Sequence, residues 1–321
     1  MVWRLVRLVL VLVLLAVAAI AGGLVWTHMV VERERGPLPI VGDLLDLEKA
    51  PDLPVKVSVI ETAQQPMPRS SVLDPGRDPR PDAPYTMTHP AFVIEWADGR
   101  LLLVDTGMTQ AKAIEFGDLL QRFGGAGTVT PLKSAAATLA TAASRVQAIV
   151  FTHLHVDHTD GLRELCPRIG HPVKVFQTSA QQDVWTFTTN EGRQILKEAG
   201  CVSPVRLTAA PLMPLDGFPG VAVIGAAGHT PGSQIIVAAV QSADGTVRRF
   251  AFSGDVTNTI DGIRNDIPKP FLYRLILVPE DDDRLGELRR YLRVLEKDQG
   301  FTVIPAHDGG HLKSLGLPAW G

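Results

Sequence analysis

Three histidines and an aspartate stand within six residues of each other, directly after an apolar run. The run covers residues 149–151, and His153, His155, Asp157 and His158 follow it. A turn at the carboxyl end of a strand can direct such side chains to one point, which a compact metal site with nitrogen and oxygen ligands requires. Histidine and aspartate residues grouped this closely along a chain seldom serve only to pack a core. The chain is therefore expected to fold around a metal site.

Three further candidate ligands each stand just past an apolar run that is typical of a strand. They are His229 in Gly228-His229-Thr230-Pro231-Gly232, Asp255 in Ser253-Gly254-Asp255, and His307 in Pro305-Ala306-His307-Asp308. Taken singly, a histidine or aspartate at such a place is more often a capping or surface group. Their joint order favours a metal site. His311 is the weaker alternative to His307, because His307 directly follows the predicted strand.

Short apolar runs bounded by turns predict strands, and helical patterns lie between them. The predicted strands are 92–95, 101–105, 148–152, 173–176, 221–225, 235–240, 249–253 and 302–305, after a first strand that starts at Val55. The predicted helices are 109–123, 134–143, 180–199 and 282–297. This order favours sheets covered by helices on their outer faces. The stretch 61–88, rich in Pro, Arg and Asp, is expected to form neither strand nor helix, but a disordered surface loop or a lid over an active site.

The amino terminus contains a run from Leu8 to Trp26 without a charged or polar side chain. As a helix it is long enough to cross a bilayer. Two interpretations stay open: a retained anchor, or a cleaved signal peptide that uses the small residues 16–21. The length of the run favours the anchor. Arg4 and Arg7 would then place the rest of the chain outside the cytoplasm, although two arginines also follow the run.

These patterns divide the chain into three parts. Residues 1–30 form the membrane anchor or signal segment, residues 31–54 a linker or arm, and residues 55–321 the catalytic domain. The net charge of −3 comes from 31 basic and 34 acidic residues that are spread along the chain, so nothing indicates a nucleic-acid partner. Cys166 and Cys201 are too few for a disulfide scaffold or a cysteine-ligated zinc module. They can pair in an oxidising compartment or stay free.

The spaced motif resembles that of a known family. His153-x-His155-x-Asp157-His158, followed by His229, Asp255 and His307, is similar to the five-motif signature of the metallo-β-lactamase superfamily, with Val104-Asp105-Thr106-Gly107 as the first motif. The resemblance covers about residues 55–311. It implies an α/β fold, the αββα sandwich, with the metals at one edge of the paired sheets. Asp160-Gly161 stand where the family often has two glycines, which leaves the local loop shape open.

The resemblance also implies a role for each motif residue. The first of two divalent metal ions would be bound by His153, His155 and His229, the second by Asp157, His158 and His307, and Asp255 would bridge them. Asp105 would hydrogen-bond a ligating histidine and fix its tautomer. Zn²⁺ is the expected metal, with Fe, Mn and Co as alternatives. Two such cations can hold a bridging hydroxide near neutral pH and polarise a carbonyl, so no Ser or Cys nucleophile is required. Asp157 would also be catalytic, as a proton shuttle to the leaving group.

Within the family, a bridging aspartate resembles glyoxalase II-type thioesterases and N-acyl homoserine lactonases, and the sequence around residues 89–92, 103–108 and 229–234 is most similar to the lactonases. The expected substrate is a small lactone or thioester. Lactonases contact the substrate carbonyl with a tyrosine near the bridging aspartate. Tyr273 is the candidate here at a different spacing, and an ordinary surface or core aromatic is the alternative. A mononuclear-iron oxidoreductase of the same fold, a small-molecule phosphodiesterase and a non-catalytic membrane module also stay open. Nothing in the sequence indicates an oligomeric state.

Overall fold

Two β-sheets pack face to face and carry helices on their outer faces in the computed structural model, which describes residues 2–321. This is the expected αββα sandwich. Most strands are buried along nearly their whole length, as in Gln234–Gln241, because the second sheet covers one face and helices cover the other. The apolar runs of the sequence therefore mark strands that have no solvent-facing side.

The larger sheet has seven strands, in the spatial order β4-β1-β2-β3-β5-β6-β7. In chain order they are β1 (Lys56–Met67), β2 (Tyr85–Glu95), β3 (Leu101–Val104), β4 (Thr130–Pro131), β5 (Val146–Val150), β6 (Val173–Gln177) and β7 (Val202–Arg206). The first three strands pair antiparallel, and β3, β5, β6 and β7 run parallel. The parallel strands consequently end at one edge of the sandwich.

The smaller sheet has five strands, in the spatial order β12-β11-β10-β9-β8. They are β8 (Met213–Pro214), β9 (Val221–Gly225), β10 (Gln234–Gln241), β11 (Val247–Gly254) and β12 (Phe301–Pro305). β11 and β12 are parallel, and the other neighbours are antiparallel. The sheets meet through an apolar core in which the rings of Phe92 and Phe252 lie 4.8 Å apart.

Eleven α-helices are found in residues 2–321. They are α1 (Val2–Arg33), α2 (Val41–Leu45), α3 (Gln110–Phe123), α4 (Ala135–Leu139), α5 (Val156–Thr159), α6 (Leu162–Ile169), α7 (Ser179–Asp183), α8 (Asn190–Glu198), α9 (Ile260–Arg264), α10 (Asp282–Gln299) and α11 (Gly309–Ser314). α10 shows why such helices form: Leu285, Leu288, Leu292 and Leu295 recur at helical spacing and are buried against the smaller sheet. Asp281 caps its first turn.

The stretch 61–88 differs from the expectation. β1 continues to Met67 and β2 begins at Tyr85, so the prediction of neither strand nor helix is wrong at both ends. The two ends pair with each other in one antiparallel ladder, whose backbone hydrogen bonds do not depend on an apolar pattern. Residues 68–84 between them are not a disordered loop. Leu73 is fully buried, and the buried Arg69 forms an ion pair with Asp78.

Two predicted helices are also interrupted. The helix expected over 180–199 is split into α7 and α8, because residues 184–189 are mostly aromatic or β-branched and have low helix propensity. The helix expected over 134–143 is α4 followed by the 3₁₀ turn Ala140–Arg145. α6 and the edge strand β7 were not predicted. Cys166 in α6 and Cys201 before β7 form a disulfide, which answers the question that the sequence left open.

The amino-terminal segment is one continuous helix, α1, and is long and apolar enough to cross a membrane. A cleaved signal sequence near an amino terminus can also be this apolar, so both interpretations stay open. The residues after α1 lie on the helical layer of the smaller sheet. Leu44 of α2 is buried there, and Arg284 donates a hydrogen bond to the carbonyl oxygen of Gly36 at 2.6 Å. Residues 34–49 thus follow the surface of the folded domain.

Candidate metal centre

The seven predicted ligands converge at one edge of the sandwich. Each is carried by a segment that begins at a strand end: residues 153–158 follow β5, His229 lies between β9 and β10, Asp255 follows β11, and His307 follows β12. All but the partly buried His155 are buried. Their potential ligand atoms lie within 4.8 Å of one another in overlapping groups: His153, His155, His229 and Asp255 form one, and around His307 lie His158 with Asp255 and His89 with Asp157.

The first group contains His153, His155 and His229. His155 Nδ1 lies 3.2 Å from His229 Nε2. Asp255 Oδ2 lies 3.5 Å from His229 Nε2 and 4.0 Å from His153 Nε2. Three imidazole nitrogens and one carboxylate oxygen therefore face a common point.

The second group contains His158, His307 and Asp157. The Nε2 atoms of the two histidines are 3.3 Å apart, and Asp157 Oδ2 lies 3.7 Å from His158 Nε2 and 3.5 Å from His307 Nε2. Asp255 Oδ1 lies 3.5 Å from His158 Nε2 and 3.1 Å from His307 Nε2. The two oxygens of Asp255 thus face different groups, so this carboxylate stands between them.

The donor set fits divalent cations. His153 Nε2 and Asp255 Oδ1 are buried and make no hydrogen bond with the protein. Such atoms cost free energy unless a partner is bound. Four or fewer nitrogen and oxygen ligands around one point are the usual surroundings of zinc and related metals.

The far side of three imidazoles is held by hydrogen bonds that set the tautomer. Nδ1–H of His158 donates to Asp105 Oδ2 at 2.8 Å, that of His307 to the carbonyl oxygen of Thr88 at 2.7 Å, and that of His229 to Glu280 Oε1 at 2.5 Å. Each bond leaves the Nε2 lone pair directed at the centre. Asp105 therefore occupies the position that the resemblance implied.

Asp105 itself is held in an uncommon backbone conformation. Its φ of 59° lies in the left-handed region, which non-glycine residues seldom adopt. Its carboxylate accepts hydrogen bonds from the backbone N–H and the hydroxyl of Thr152, both at 2.7 Å. The first motif and the turn after β5 are thus joined by the same side chain that orients His158.

The family comparison agrees with this geometry. A model of the metallo-beta-lactamase superfamily matches residues 84–307. The chain belongs to this superfamily. No curated protein matches it. The superfamily's fold is also seen in solved structures that are similar to this chain.

Three of these structures concern acyl homoserine lactones. An N-acyl homoserine lactone hydrolase with the product N-hexanoyl-L-homoserine bound at its catalytic metal centre has a TM-score of 0.58 at 16% identity, and the match covers 82% of this chain and 96% of that one. A mutant B. thuringiensis protein with N-decanoyl-L-homoserine bound at the active site gives the same values. A quorum-quenching N-acyl homoserine lactone hydrolase has a TM-score of 0.57 at 16% identity, covering 82% and 97%. At these identities the likeness concerns the fold.

The departure from the superfamily's double glycine has a structural reason. Asp160 Oδ2 accepts hydrogen bonds from the backbone N–H and the hydroxyl of Thr109, at 2.9 and 2.6 Å, and so fixes the start of α3. Gly161 is required, because a Cβ there would lie 2.2 Å from the carbonyl oxygen of Thr106. The metal-binding turn and the first motif therefore touch backbone to backbone.

Burial and neighbouring charges shift the pKa values of the carboxyl groups and imidazoles in the centre. Burial opposes ionisation of Asp157 and Asp255, but the surrounding histidines outweigh it and hold the pKa of each carboxyl far below its usual range. Burial also opposes protonation of His158 and His307, but the adjacent carboxylates outweigh it and raise the pKa of both imidazoles. Burial lowers the pKa of His153. The ionised carboxylates thus favour positive charge beside them, which bound divalent cations would supply.

Sequence reasoning missed Glu280 and Lys269. Lys269 Nζ is buried and donates to Glu280 Oε1 and to the carbonyl oxygen of Asp255, both at 2.6 Å. Because Glu280 also accepts from His229, these residues form one charged network behind the centre. Glu280 stands in an acidic run before α10, where a charge run usually indicates a solvated helix start. Nothing in the sequence distinguished it.

His89 was not among the predicted site residues, and the structure brings it to the second group. Its Nδ1 lies 3.1 Å from Asp157 Oδ2, and its ring centroid lies 4.9 Å from that of His307. The side chain is buried in β2, where a lone histidine is more often a core residue than a functional one. Only the fold shows that it touches Asp157.

The two remaining candidates, His311 and Tyr273, differ in their relation to the centre. His311 Nε2 lies 2.9 Å from the carbonyl oxygen of Val303 and does not belong to either ligand group. Tyr273 is half-buried, and its ring centroid lies 5.4 Å from Lys269 Nζ. Burial and the carboxylate of Glu280 raise the pKa of the Tyr273 phenol well above its usual value, so the phenol is protonated at neutral pH. It is available as a hydrogen-bond donor.

Proposed function

We propose that this chain is a hydrolase with two divalent metal ions that acts on an ester-like bond, a lactone or a thioester. The observation that carries the proposal is the position of Asp255, whose two carboxylate oxygens face two separate groups of imidazoles. A single-metal site has no use for a carboxylate placed in this way.

In this proposal His153, His155 and His229 hold the first ion, and His158, His307 and Asp157 hold the second. Asp255 is shared. When bound, such ions lower the pKa of a bound water and polarise a carbonyl group. Zn²⁺ is the first choice for a set of imidazoles and carboxylates, and Fe, Mn and Co bind the same ligand types.

The protein's own groups then handle protons and orient the substrate. Asp157 is ionised, since its pKa is held far below neutrality, and its carboxylate can take up a proton and pass it to the leaving oxygen or sulfur. Nδ1 of His89, 3.1 Å away, holds the carboxylate in place. The protonated phenol of Tyr273 donates a hydrogen bond to the substrate carbonyl.

The substrate class rests on the shared carboxylate together with the lactone hydrolases among the similar structures. A small-molecule substrate agrees with the spread of charge along the chain, which offers no surface for nucleic acid.

The amino-terminal helix and the disulfide support a proposal for the protein's place in the cell. We assign residues 1–30 to a membrane anchor, 31–54 to an arm and 55–321 to the catalytic domain, which faces the outside of the cytoplasm. The disulfide between Cys166 and Cys201 supports this side, because such bonds persist in oxidising compartments. If the segment is cleaved, the domain is instead secreted or periplasmic.

The test is a substrate screen with metal analysis on the same preparation. Purified full-length protein in detergent is assayed with lactones, thioesters, phosphodiesters and β-lactams. We expect two metal ions per chain and turnover of a lactone or thioester. Asp255→Ala is expected to retain one metal ion or fewer and to lose turnover. One bound iron with consumption of oxygen, or two metals with no turnover of any of the four classes, would refute the proposal.

A further inference from the structure

The amino-terminal helix projects from the folded domain over a length that matches a bilayer core. All side chains from Val2 to Gly23 are exposed, and burial against the domain begins around Thr27. The uncharged part of this helix, Leu8 to Trp26, extends over roughly 28 Å, compared with about 30 Å for the hydrocarbon core of a membrane. If α1 crosses a bilayer, the lipid surface therefore lies where the helix meets the domain.

This junction is held by several contacts and is not a free hinge. The two ring nitrogens of His28 lie 3.2 Å from the carbonyl oxygens of Leu275 and Glu280. Arg35, just after α1, forms a two-fold ion pair with the carboxylate of Asp281. The part of the domain next to Leu275 consequently keeps a fixed height relative to the helix.

Two segments expose apolar side chains beside the junction between α1 and the domain. Residues 271–277 expose Phe271, Leu272, Leu275, Ile276 and Leu277, and residues 185–187 expose Trp185 and Phe187. Between 39% and 65% of each side chain is open to solvent. We call these seven side chains the apolar collar. Single exposed apolar residues are ordinary, whereas a group of large ones marks a surface that is normally covered.

The two segments lie on different sides of α1. The ring of Trp26 lies 6.2 Å from that of Trp185, while His28 contacts Leu275. Residues two apart in a helix point about 200° away from each other. The helix therefore leaves the domain between the two parts of the collar.

We propose that the apolar collar enters the interface of the bilayer that α1 crosses, so that the domain lies on the lipid surface. Trp, Phe and Leu side chains on a surface next to a spanning helix are the composition that membrane interfaces select. The occupant of this surface is the lipid bilayer itself. α1 acts as the span, and the collar fixes the tilt of the domain.

The collar joins the lipid surface to the metal centre. Segment 271–277 is flanked by Lys269, which donates to the carbonyl oxygen of Asp255, and by Glu280, which accepts from His229. Tyr273 lies within the same segment and packs beside Lys269. Resting on the proposed hydrolase function, this placement points to amphiphilic esters, whose acyl chain is dissolved in the membrane and whose reactive carbonyl reaches the centre beside Tyr273.

The test measures immersion depth without any need for activity. Spin labels are attached at Leu272→Cys and Phe187→Cys in the full-length protein, reconstituted in phosphatidylcholine vesicles. Accessibility to oxygen, which concentrates in lipid, is compared with accessibility to a water-soluble nickel chelate. Val55→Cys is the matched control, since Val55 is 43% exposed. Its backbone N–H donates to the carbonyl oxygen of Glu95, at the end of the sandwich opposite the metal centre.

We expect the ratio of oxygen to nickel accessibility at positions 272 and 187 to exceed that at 55 at least three-fold. Equal ratios at the three positions overturn the proposal. Spin–spin broadening at 272 that disappears on dilution with unlabelled protein also overturns it, because the collar would then be covered by a second copy. Unchanged metal content of each variant shows that it is folded.

A second measurement addresses the substrate. The double variant Leu272→Asp/Ile276→Asp is expected to raise KM for a long-chain ester in vesicles at least ten-fold, with kcat/KM for a short water-soluble ester unchanged. An equal loss on both esters overturns the membrane route. If no ester is hydrolysed while the labels are immersed, the proposed function fails and the lipid-facing surface stands.

Discussion

Glu280 Oε1 lies 2.5 Å from His229 Nδ1 and 2.6 Å from Lys269 Nζ, so one carboxylate orients a metal-facing imidazole and neutralises a buried ammonium group. Burial opposes ionisation of Glu280, but Lys269 outweighs it and lowers the pKa of the carboxyl. A negative charge on this side of His229 increases the basicity of the nitrogen that faces the centre. The network behind His229 is therefore expected to influence metal binding.

Glu280→Gln is expected to weaken metal binding by about 10- to 100-fold, the usual effect of removing the partner of a ligating histidine. The amide keeps a hydrogen-bond acceptor for His229 but removes the charge. Competition with a chelator measures the affinity. Glu198→Gln, at an exposed position on α8, is the control and should bind metal as the wild type does. Equal affinities for both variants would contradict the role of Glu280.

Asp255→Ala is expected to reduce the metal content from two ions per chain to one or fewer, because the carboxylate that faces both histidine groups is removed. Elemental analysis of the dialysed protein measures the content. His171→Ala is the control, since His171 is only partly buried and belongs to neither group. Retention of two ions by Asp255→Ala would rule out a shared carboxylate.

His89→Phe is expected to lower kcat by about ten-fold or more with little change in KM, because Asp157 loses the hydrogen bond that positions its carboxylate. His89→Asn keeps a donor and should recover part of the loss. The pH profile of kcat is recorded for the wild type and both variants. A rise in KM alone would assign His89 to substrate binding instead.

Arg69 and Asp78 make the stability of the protein depend on pH. Burial of Asp78 opposes its ionisation, but Arg69 outweighs burial and lowers the pKa of the carboxyl. The pair thus stabilises the folded state above the carboxyl pKa of the unfolded chain, about 4, and this stabilisation is lost as pH falls through the lower folded pKa. Asp78→Asn should therefore cost about 2–3 kcal/mol at pH 7, and the difference from the wild type should shrink under acid.

Denaturant unfolding at pH 7 and at several acidic values checks this prediction. Asp183→Asn is the matched control, since the pair of Asp183 with Arg206 is exposed and should contribute far less. A difference between Asp78→Asn and wild type that stays constant under acid would show that the ion pair is not its cause.

The disulfide between Cys166 and Cys201 closes a loop with a sequence separation of 35 residues. Chain-entropy arguments give such a loop about 3–4 kcal/mol of stabilisation. Cys166→Ala/Cys201→Ala is therefore expected to lower Tm by several degrees at unchanged metal content, because α6 and β7 lie outside the centre. Thermal unfolding with and without reductant checks both points. Loss of metal in this variant would instead link the disulfide to the site.

The sandwich and most strands could be predicted because strands covered on both faces leave continuous apolar runs, as in Ile235 to Val240. Strand ends in the polar stretch 61–88 could not, since ladder pairing decides them. The place of Asp105 was implied only by the family resemblance, and in the structure its carboxylate accepts a hydrogen bond from His158.

By itself, the sequence determined the family motif and the layered fold, and it predicted the seven side chains that the structure brings together, because their types and order along the chain limit what they can form. Only the tertiary structure brought His89, Lys269 and Glu280 to the centre and the apolar collar beside α1. These residues come from separate parts of the chain, and their contacts depend on how the sheets, loops and the first helix pack together. No local pattern encodes such distances.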